Sequence, residues 1–213
     1  MKIVCFVPIK LKSSRLPNKM LLPLGDKILC QHIFFTLLNV KKKLDIDIYC
    51  FCSDNKIIEY LPKGIKFLKR DKKLDSNETK GMDIYKSFVN LVNADIYSLV
   101  HATSPFLKSD SMLKGLNSVI NENYDSSLSV SKIQTFCWYK SKPLNYSLDN
   151  IVRTQDIDSV FYETSAFFIF KKNILINSNR RIGFKPYFVE TDRIESIDID
   201  ELQDYELAKK IID

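Results

Sequence analysis

Between Pro8 and Lys19 the chain reads PIKLKSSRLPNK, so Lys10, Lys12, Arg15 and Lys19 share a short segment with the hydroxyls of Ser13 and Ser14. A planar guanidinium fork, compact ammonium charges and hydroxyl donors are the groups that grip phosphate oxygens, which makes the stretch a candidate polyphosphate site. Far away in sequence, Ser196-Ile197-Asp198-Ile199-Asp200 places two carboxylates two residues apart. On a predicted strand they share one face, where they repel each other unless water or a divalent cation lies between them. Hard oxygen ligands of this number suit Mg²⁺, an ion that keeps several waters and is normally completed by substrate phosphates. The other use of such a pair is to cap the following helix, with Asp200 or Asp204 as the capping residue. His101 and Thr103 lie in HATSPF, directly after the short apolar run Ile96 to Val100, and form a second candidate site at a strand end. Basic loop and carboxylate pair together describe a nucleoside triphosphate and its metal held across strand ends.

The elements that must position these groups follow from hydrophobic periodicity. Ile3 to Pro8 is an apolar run of the kind buried on both faces of a parallel sheet, and it breaks into the basic loop. Pro17 fixes the backbone inside that loop, and Met20, Leu21, Leu22 and Leu24 anchor its far end. The spacing predicts a helix over 26–40, a strand over 46–53, a short helix over 55–61 and a brief strand over 65–68. Strand, helix and strand in this order make a βαβ unit and predict a parallel sheet. Residues 69–82 read as a polar loop with Arg70 at its start, 83–93 as a helix and 96–100 as a buried strand. A helix over 110–121 follows, capped by Ser109 or Asp110, then strands over 126–132, 161–171 and 196–200 and a last helix over 202–212. The irregular stretch around Phe136 to Ile151, with its Trp138-Tyr139 pair, reads as an excursion from the sheet.

Composition narrows the classes. The 213 residues suit one α/β domain, and 45% hydrophobic with 27% charged residues is ordinary for a globular protein. A net charge of +6 permits an anionic ligand, while the scattered cations form no stripe interleaved with aromatics, so nucleic acid is not the expected partner. Gly occupies five positions, none in the basic loop, so neither a P-loop nor the Gly-rich dinucleotide fingerprint is present. Cys5, Cys30, Cys50, Cys52 and Cys137 read as reduced thiols, without zinc-site spacing. No apolar run approaches bilayer length and Met1-Lys2 leads straight into a strand, so the expectation is a cytoplasmic protein without a membrane partner.

PIKLKSSRLPNKMLLPLGDK, from Pro8 to Lys27, resembles the nucleotide-binding loop of bacterial cytidylyltransferases that activate acidic sugars; its SSRLPNKML is most similar to the CMP-Kdo synthetases and spore-coat-polysaccharide-type enzymes. VHATSPFL at Val100–Leu107, RTQDIDSVFYETSAFFIFKK at Arg153–Lys172 and SIDIDELQDYELAKKI at Ser196–Ile211 resemble the CMP-N-acylneuraminate synthetases. The resemblance implies one Rossmann-like α/β nucleotidyltransferase domain over 1–213, its mostly parallel sheet flanked by helices, with a dimerisation excursion near 133–160. It further implies a homodimer that transfers CMP from CTP to an acidic sugar, of the sialic, legionaminic or pseudaminic type, and releases pyrophosphate with Mg²⁺. Kdo, a phosphonate or another small acid is the alternative acceptor, and a nucleotide-binding homologue without catalysis is the alternative class.

By the same resemblance Lys10, Ser13, Ser14, Arg15, Lys19, Arg70 and Thr103 bind the nucleotide, with Arg15, Lys19 and Asp200 catalytic and Asp198 and Asp200 on the metal. His101, Arg153, Gln155 and Tyr162 face the sugar or the dimer partner. The chain departs from the family pattern at Lys10, Leu11 and Lys12, at His101 where a Gln is usual, at Asn77 where an Asp is usual, and at Thr164-Ser165-Ala166 where Asn-Gly-Ala is usual. A site carboxylate at a strand end contributes little packing, so Asp200→Ala is expected to remove turnover and leave the fold intact.

Overall fold

Ile3–Ile9 forms β1, buried along almost its whole length, because parallel strands flank it on both sides and helices cover both faces. The computed structural model describes residues 1–212. After the basic loop come the two-residue strands β2 (Pro23–Leu24) and β3 (Lys27–Ile28), then α1 (Leu29–Lys41), β4 (Asp47–Cys52), β5 (Lys66–Lys69), α2 (Gly81–Leu91), β6 (Ile96–Val100) and α3 (Ser109–Asn121). The second half adds β7 (Ser126–Ile133), the small hairpin β8 (Trp138–Tyr139) and β9 (Lys142–Pro143), β10 (Val160–Lys171), α4 (Lys172–Ser178), β11 (Pro186–Glu190) and α5 (Leu202–Ile212). One seven-stranded sheet runs in the order β11-β7-β10-β6-β1-β4-β5. Within it only β10 is antiparallel to its neighbours, β6 and β7. The architecture is the mostly parallel, helix-flanked α/β sheet that the βαβ pattern predicts.

Alternation along the strands divides the core in two. Cys5, Val7, Ile9, Cys50, Phe167 and Ile169 meet Ile33, Phe34 and Leu37 of α1 and Met112 and Leu116 of α3 on one face. Val4, Phe6, Phe51, Leu99, Phe168 and Phe170 meet Tyr85 and Phe88 of α2 and Leu175 of α4 on the other. The rings of Phe6 and Phe88 stack there at 4.2 Å. A third, smaller core matters most for function. Leu16, Leu24 and Leu29 pack on Ile199, Tyr205 and Ala208, which seals the basic loop to the segment before α5 and to α5 itself. Burial pushes the Cys5 and Cys30 thiols up to about 12, as expected of core cysteines.

Four local expectations are corrected. Residues 196–200 are not a strand: Ser196 and Ile197 donate their N–H groups back to Asp192 and Ile194 in a turn, and Ile199 donates to the Thr103 carbonyl outside any ladder. The last strand is β11 instead, a stretch the periodicity left unassigned. The first helix starts at Leu29, because Gly25, at φ 58°, turns the chain through the β2–β3 hairpin. Helix α3 is capped by neither Ser109 nor Asp110. Its N-cap is Lys108, whose backbone N–H donates to Glu195 at 3.0 Å.

Asp125 clamps the chain after α4: its carboxylate accepts from the backbone N–H groups of Phe184 at 2.6 Å and Lys185 at 3.0 Å, and from Ser126 Oγ at 2.9 Å. A Cβ on Gly183 would overlap that pinned carboxylate. Gly183→Ala should therefore cost about 1–3 kcal/mol, the usual range for overpacking, read as a lowered melting temperature. Burial alone would push the Asp125 carboxyl up, but the three hydrogen bonds outweigh it and hold it below the ordinary 3.8. A depressed carboxyl stabilises the fold above that ordinary value and loses its contribution as the pH falls through the depressed one. Asp125→Asn should melt below the parent near neutral pH, with the gap closing in acid; a gap that persists at low pH would refute the charged clamp.

Candidate active site

Lys19 is held in the short 3₁₀ turn Lys19–Leu21, which begins after Asn18 in the left-handed conformation, φ 53°, that asparagine tolerates. Its neighbours Leu16 and Met20 are buried, so the side chain is carried inward and ends 5% exposed. A buried ammonium needs partners. It donates to the carbonyl of Ile199 at 2.8 Å and to Asp200 Oδ1 at 2.9 Å. Arg15 reaches the same carboxylate from solvent as a two-pronged fork, Nη1 to Oδ2 at 2.8 Å and Nη2 to Oδ1 at 2.9 Å. Burial would raise Asp200, but Lys19 and then Arg15 overcome it and hold the carboxyl below its usual range.

Asp198 is the opposite case. Its Oδ1 is buried without a partner. Burial is the main reason its carboxyl is pushed above the usual range; the Thr103 hydroxyl opposes this, the Asp200 charge adds to it, and His101 and Lys19 oppose it. Thr103 also supplies the carbonyl that takes the Ile199 N–H at 2.8 Å, fixing the segment between the two carboxylates. The helix cap is Asp204, whose Oδ2 accepts from the backbone N–H groups of Asp200 and Glu201 at 3.0 and 2.8 Å. Both members of the pair are thereby left for other work.

The loop lines a cleft made of three connected hollows. One of about 240 Å³ lies among Pro8, Lys10, Lys12, Ser13, Ser14, Arg15 and Lys19. It shares Pro8 and Lys10 with a second, of about 300 Å³, bounded by Arg70, Ser76, Thr79, Tyr85 and His101. It shares Lys12 with a third, of about 430 Å³, bounded by Ser53, Asp54, Lys69, Lys72 and Asp75. Arg70 is 2% exposed; its Nη2 is paired with Asp75 and its Nε has no partner. Lys10 Nζ donates to Asn77 at 3.2 Å, at the position of the departure noted above.

His101 sits at the inner end of the second hollow with Nδ1 at 2.6 Å from the Ser165 carbonyl. That carbonyl is aimed inward because Ser165 adopts φ 62° within the irregularity of β10. Burial keeps the imidazole below its ordinary pKa against the pull of the Ser165 carbonyl and Asp198, with Arg181 adding to the depression.

The two groups of candidates meet where Arg15 and Lys19 of the basic loop hold Asp200, while Asp198, Asp200 and Thr103 stand outside the linings of the three hollows. Arg153, Gln155 and Tyr162 do not join them through side-chain contacts among the described residues: Arg153 pairs with Asp156 across the turn that contains Gln155, and Tyr162 is exposed on the outer part of β10. Sequence reasoning missed Asp75 and Arg181. Asp75, five residues after Arg70 in a nearly apolar-free loop, carried a usable signal, because a buried arginine requires a nearby acid. For Mg²⁺ the donors are sparse, with no cluster of three or more His, Cys, Asp or Glu side chains among the described residues. The orphaned oxygen of Asp198 fits a hard cation, and Asp200 fits as a second ligand only in competition with Arg15 and Lys19.

A mostly parallel sheet with a cationic cleft at its strand ends is the nucleotidyltransferase fold, and two solved structures bear this out. The structure of CMP:2-keto-3-deoxy-manno-octonic acid synthetase complexed with CTP superposes with a TM-score of 0.73 at 15% identity, covering 100% of this chain and 98% of that one. The 2-C-methyl-D-erythritol 4-phosphate cytidylyltransferase of Thermus thermophilus gives 0.63 at 12% identity, covering 100% and 99%. Residues 4–212 match the family model described as cytidylyltransferase, and the chain belongs to that family. The N-acylneuraminate cytidylyltransferase of Streptococcus agalactiae serotype III (strain NEM316) is 23% identical over 96% of this chain and 52% of its own length. N-acylneuraminate cytidylyltransferase A of Danio rerio is 24% identical over 69% and 36%. The chain thus spans about half the length of the streptococcal relative and less of the Danio rerio one. Among the described residues no helix is long and apolar enough to cross a membrane.

The expectation that Asp200→Ala spares the fold is not supported by this geometry, because the carboxylate neutralises a buried ammonium. Asp200→Ala should lose about 1–3 kcal/mol of stability, less than a fully buried pair because the Asp200 side chain is 38% exposed. Combining it with Lys19→Met, which removes the stranded charge, should recover part of that loss. Thermal melts of the parent, the single and the double variant decide this: a single variant as stable as the parent would show that Lys19 needs no counter-charge.

Proposed function

We propose that this protein transfers the cytidylyl group of CTP to an acidic sugar and releases pyrophosphate. The observation that carries this reading is the Asp200 carboxylate gripped by Arg15 and Lys19 beside the orphaned oxygen of Asp198. A triphosphate is the ligand that can compete for those cations, and a hard cation is the ligand that fits the orphaned oxygen. Arg15, Lys10, Lys12, Ser13 and Ser14 face the hollow in which the triphosphate would lie. Arg70, anchored by Asp75 and opening on the second hollow, supports placing the rest of the nucleotide there.

In this reading the acceptor hydroxyl oxygen forms a bond to the α-phosphorus and gives up its proton to solvent, and the bond from the α-phosphorus to the bridging oxygen of the departing pyrophosphate breaks. Such a transfer depends on in-line placement and neutralised charge and needs no covalent nucleophile. Lys19, rigidly held, presents a fixed positive charge to the phosphates, while Arg15 can turn from Asp200 to the leaving group. Asp198 and Asp200 would hold Mg²⁺, which supplies charge neutralisation on the phosphate oxygens when bound. The N-acylneuraminate cytidylyltransferases among the relatives favour a sialic-type acceptor, with legionaminic and pseudaminic acids as close variants and Kdo or a phosphonate as the competing acids. The exposed Trp138 and Tyr139 of the hairpin support a homodimer formed through that excursion, with Arg153, Gln155 and Tyr162 near the partner.

Pyrophosphate release from each of the four NTPs with Mg²⁺, against N-acetylneuraminate, legionaminate, pseudaminate, Kdo and 2-aminoethylphosphonate, tests the reaction. CTP-specific release with one acid is expected; release independent of the base, or none with any acid, would overturn the reading. Arg15→Ala should raise the CTP concentration needed for half-maximal rate, whereas an unchanged requirement would leave the loop a basic surface. Asp198→Asn, which keeps size but removes charge, should abolish Mg²⁺-dependent turnover without lowering the melting temperature.

A further inference from the structure

Arg181 follows α4 and belongs to neither the basic loop nor the carboxylate segment. Its guanidinium lies 3.7 Å from the centroid of the Phe168 ring, a close stacking contact on a fully buried side chain. The edge of the same ring system meets His101, with centroids 6.2 Å apart and planes at 67°. Arg181 therefore stands one aromatic layer from the His101 end of the cleft, and it is close enough for its charge to act on the imidazole.

The register of β10 explains how the position is built. Glu163 pairs with Val130 and Phe168 with Leu128, so a step of five residues along β10 matches a step of two along β7. Val130 and Leu128 share a face of the sheet, and their partners share it as well, whereas residues five apart on a regular strand point to opposite faces. The irregularity thus brings the Glu163 carboxylate and the Phe168 ring to one side, and Arg181 uses both. Its Nη2 donates to Glu163 Oε2 at 2.9 Å. No other protein acceptor meets the guanidinium among the described residues, and the side chain remains 31% exposed. An arginine clamped at one nitrogen and one face, with its remaining N–H groups free, is pre-organised for a planar anion. The Asp125 clamp on Phe184 and Lys185 fixes the chain three residues further on.

We propose that Arg181 is the specificity-determining residue of the acceptor subsite and binds the carboxylate of the acidic sugar, with Phe168 and Glu163 holding the guanidinium in place. The proposal rests on the cytidylyl-transfer reading and adds the group that selects the acid. The phosphates are already served by Lys10, Lys12, Arg15 and Lys19, and Arg70, in the hollow of His101, is paired with Asp75; Arg181 is the cation that lies against the Phe168 ring beside His101 and keeps N–H groups without a protein acceptor among the described residues.

The test uses N-acetylneuraminate and its C1 methyl ester with the parent chain, Arg181→Met and Arg181→Lys. Methionine keeps an apolar contact on Phe168 and removes the charge; lysine keeps the charge and loses the planar fork. For Arg181→Met the KM for the acid should rise about 10- to 100-fold, the value of a charge-assisted hydrogen bond, with the KM for CTP and the melting temperature unchanged. Arg181→Lys should fall in between. The parent's preference for acid over ester should collapse in Arg181→Met, a change that a purely structural role would not produce. An unchanged KM and preference would overturn the role of Arg181 while sparing the reaction. A parent that binds CTP by thermal shift but neither binds nor turns over the acid would overturn the acid subsite. A parent that does not bind CTP would instead overturn the cytidylyl-transfer reading itself.

Discussion

The buried ammonium of Lys19 is the constraint on which the rest of the site depends. Taking a lysine out of water is tolerable only with a counter-charge and acceptors in fixed positions, and here both come from a segment 180 residues away. The basic loop is tied to the Ile199–Asp200 segment through Lys19, and that segment is tied in turn to the Thr103 carbonyl in the turn after β6. Loop, turn and late segment are three sections of sequence joined by a few hydrogen bonds. The small apolar core of Leu16, Leu24, Leu29, Ile199, Tyr205 and Ala208 excludes water around them and so strengthens each bond. Tyr205 adds its hydroxyl, donated to the Pro23 carbonyl.

This arrangement shows how the proposed phosphate loop can do without glycine. A glycine-rich cradle presents backbone N–H groups at close range and needs conformations that only glycine adopts freely. In the proposed reading the gripping falls to side chains, so the backbone need only be held still. Pro17, the left-handed Asn18 and the buried Leu11, Leu16 and Met20 hold it. The cost falls elsewhere, on the carboxylate that must balance Lys19 and Arg15 before a phosphate arrives.

Much of the scaffold was legible in the chain. Runs buried on both faces, such as Ile96 to Val100, and long periodic helices, such as Leu202 to Ile212, stand where their hydrophobic patterns put them. The failures share a physical cause. SIDID alternates like a strand, yet its backbone groups are taken by a turn and by one carbonyl of a distant loop, and alternation carries no information about where those bonds go. β11 went unassigned although Tyr187, Phe188 and Val189 are apolar: it is an edge strand paired on one side only, and its five residues are too short a run to announce themselves. Candidate residues with marked chemistry, Lys19, Arg15, Asp198 and Asp200, could be picked out by type and spacing. Arg181 could not, because what makes it unusual is a stacking partner brought to its side by an irregular strand, and no spacing rule encodes that.

The electrostatics of the cleft divide along the same lines. Asp200 is held charged by two cations, whereas Asp198, two residues away, is pushed toward its neutral form by burial. Two carboxylates so close would repel if both were charged and bare, and the fold resolves this by saturating one and leaving the other short of a partner. The unsatisfied oxygen of Asp198 is then the place where a bound cation gains most, since it removes a penalty that folding alone leaves standing. Arg15 is the movable element of the set, being solvent-exposed and tied only to Asp200, while Lys19 is fixed by its depth. A polyanion entering the cleft would draw Arg15 away and expose Asp200 toward the same cation, so nucleotide and metal should bind with mutual reinforcement. That coupling follows from charge balance around one carboxylate and requires no movement of the sheet.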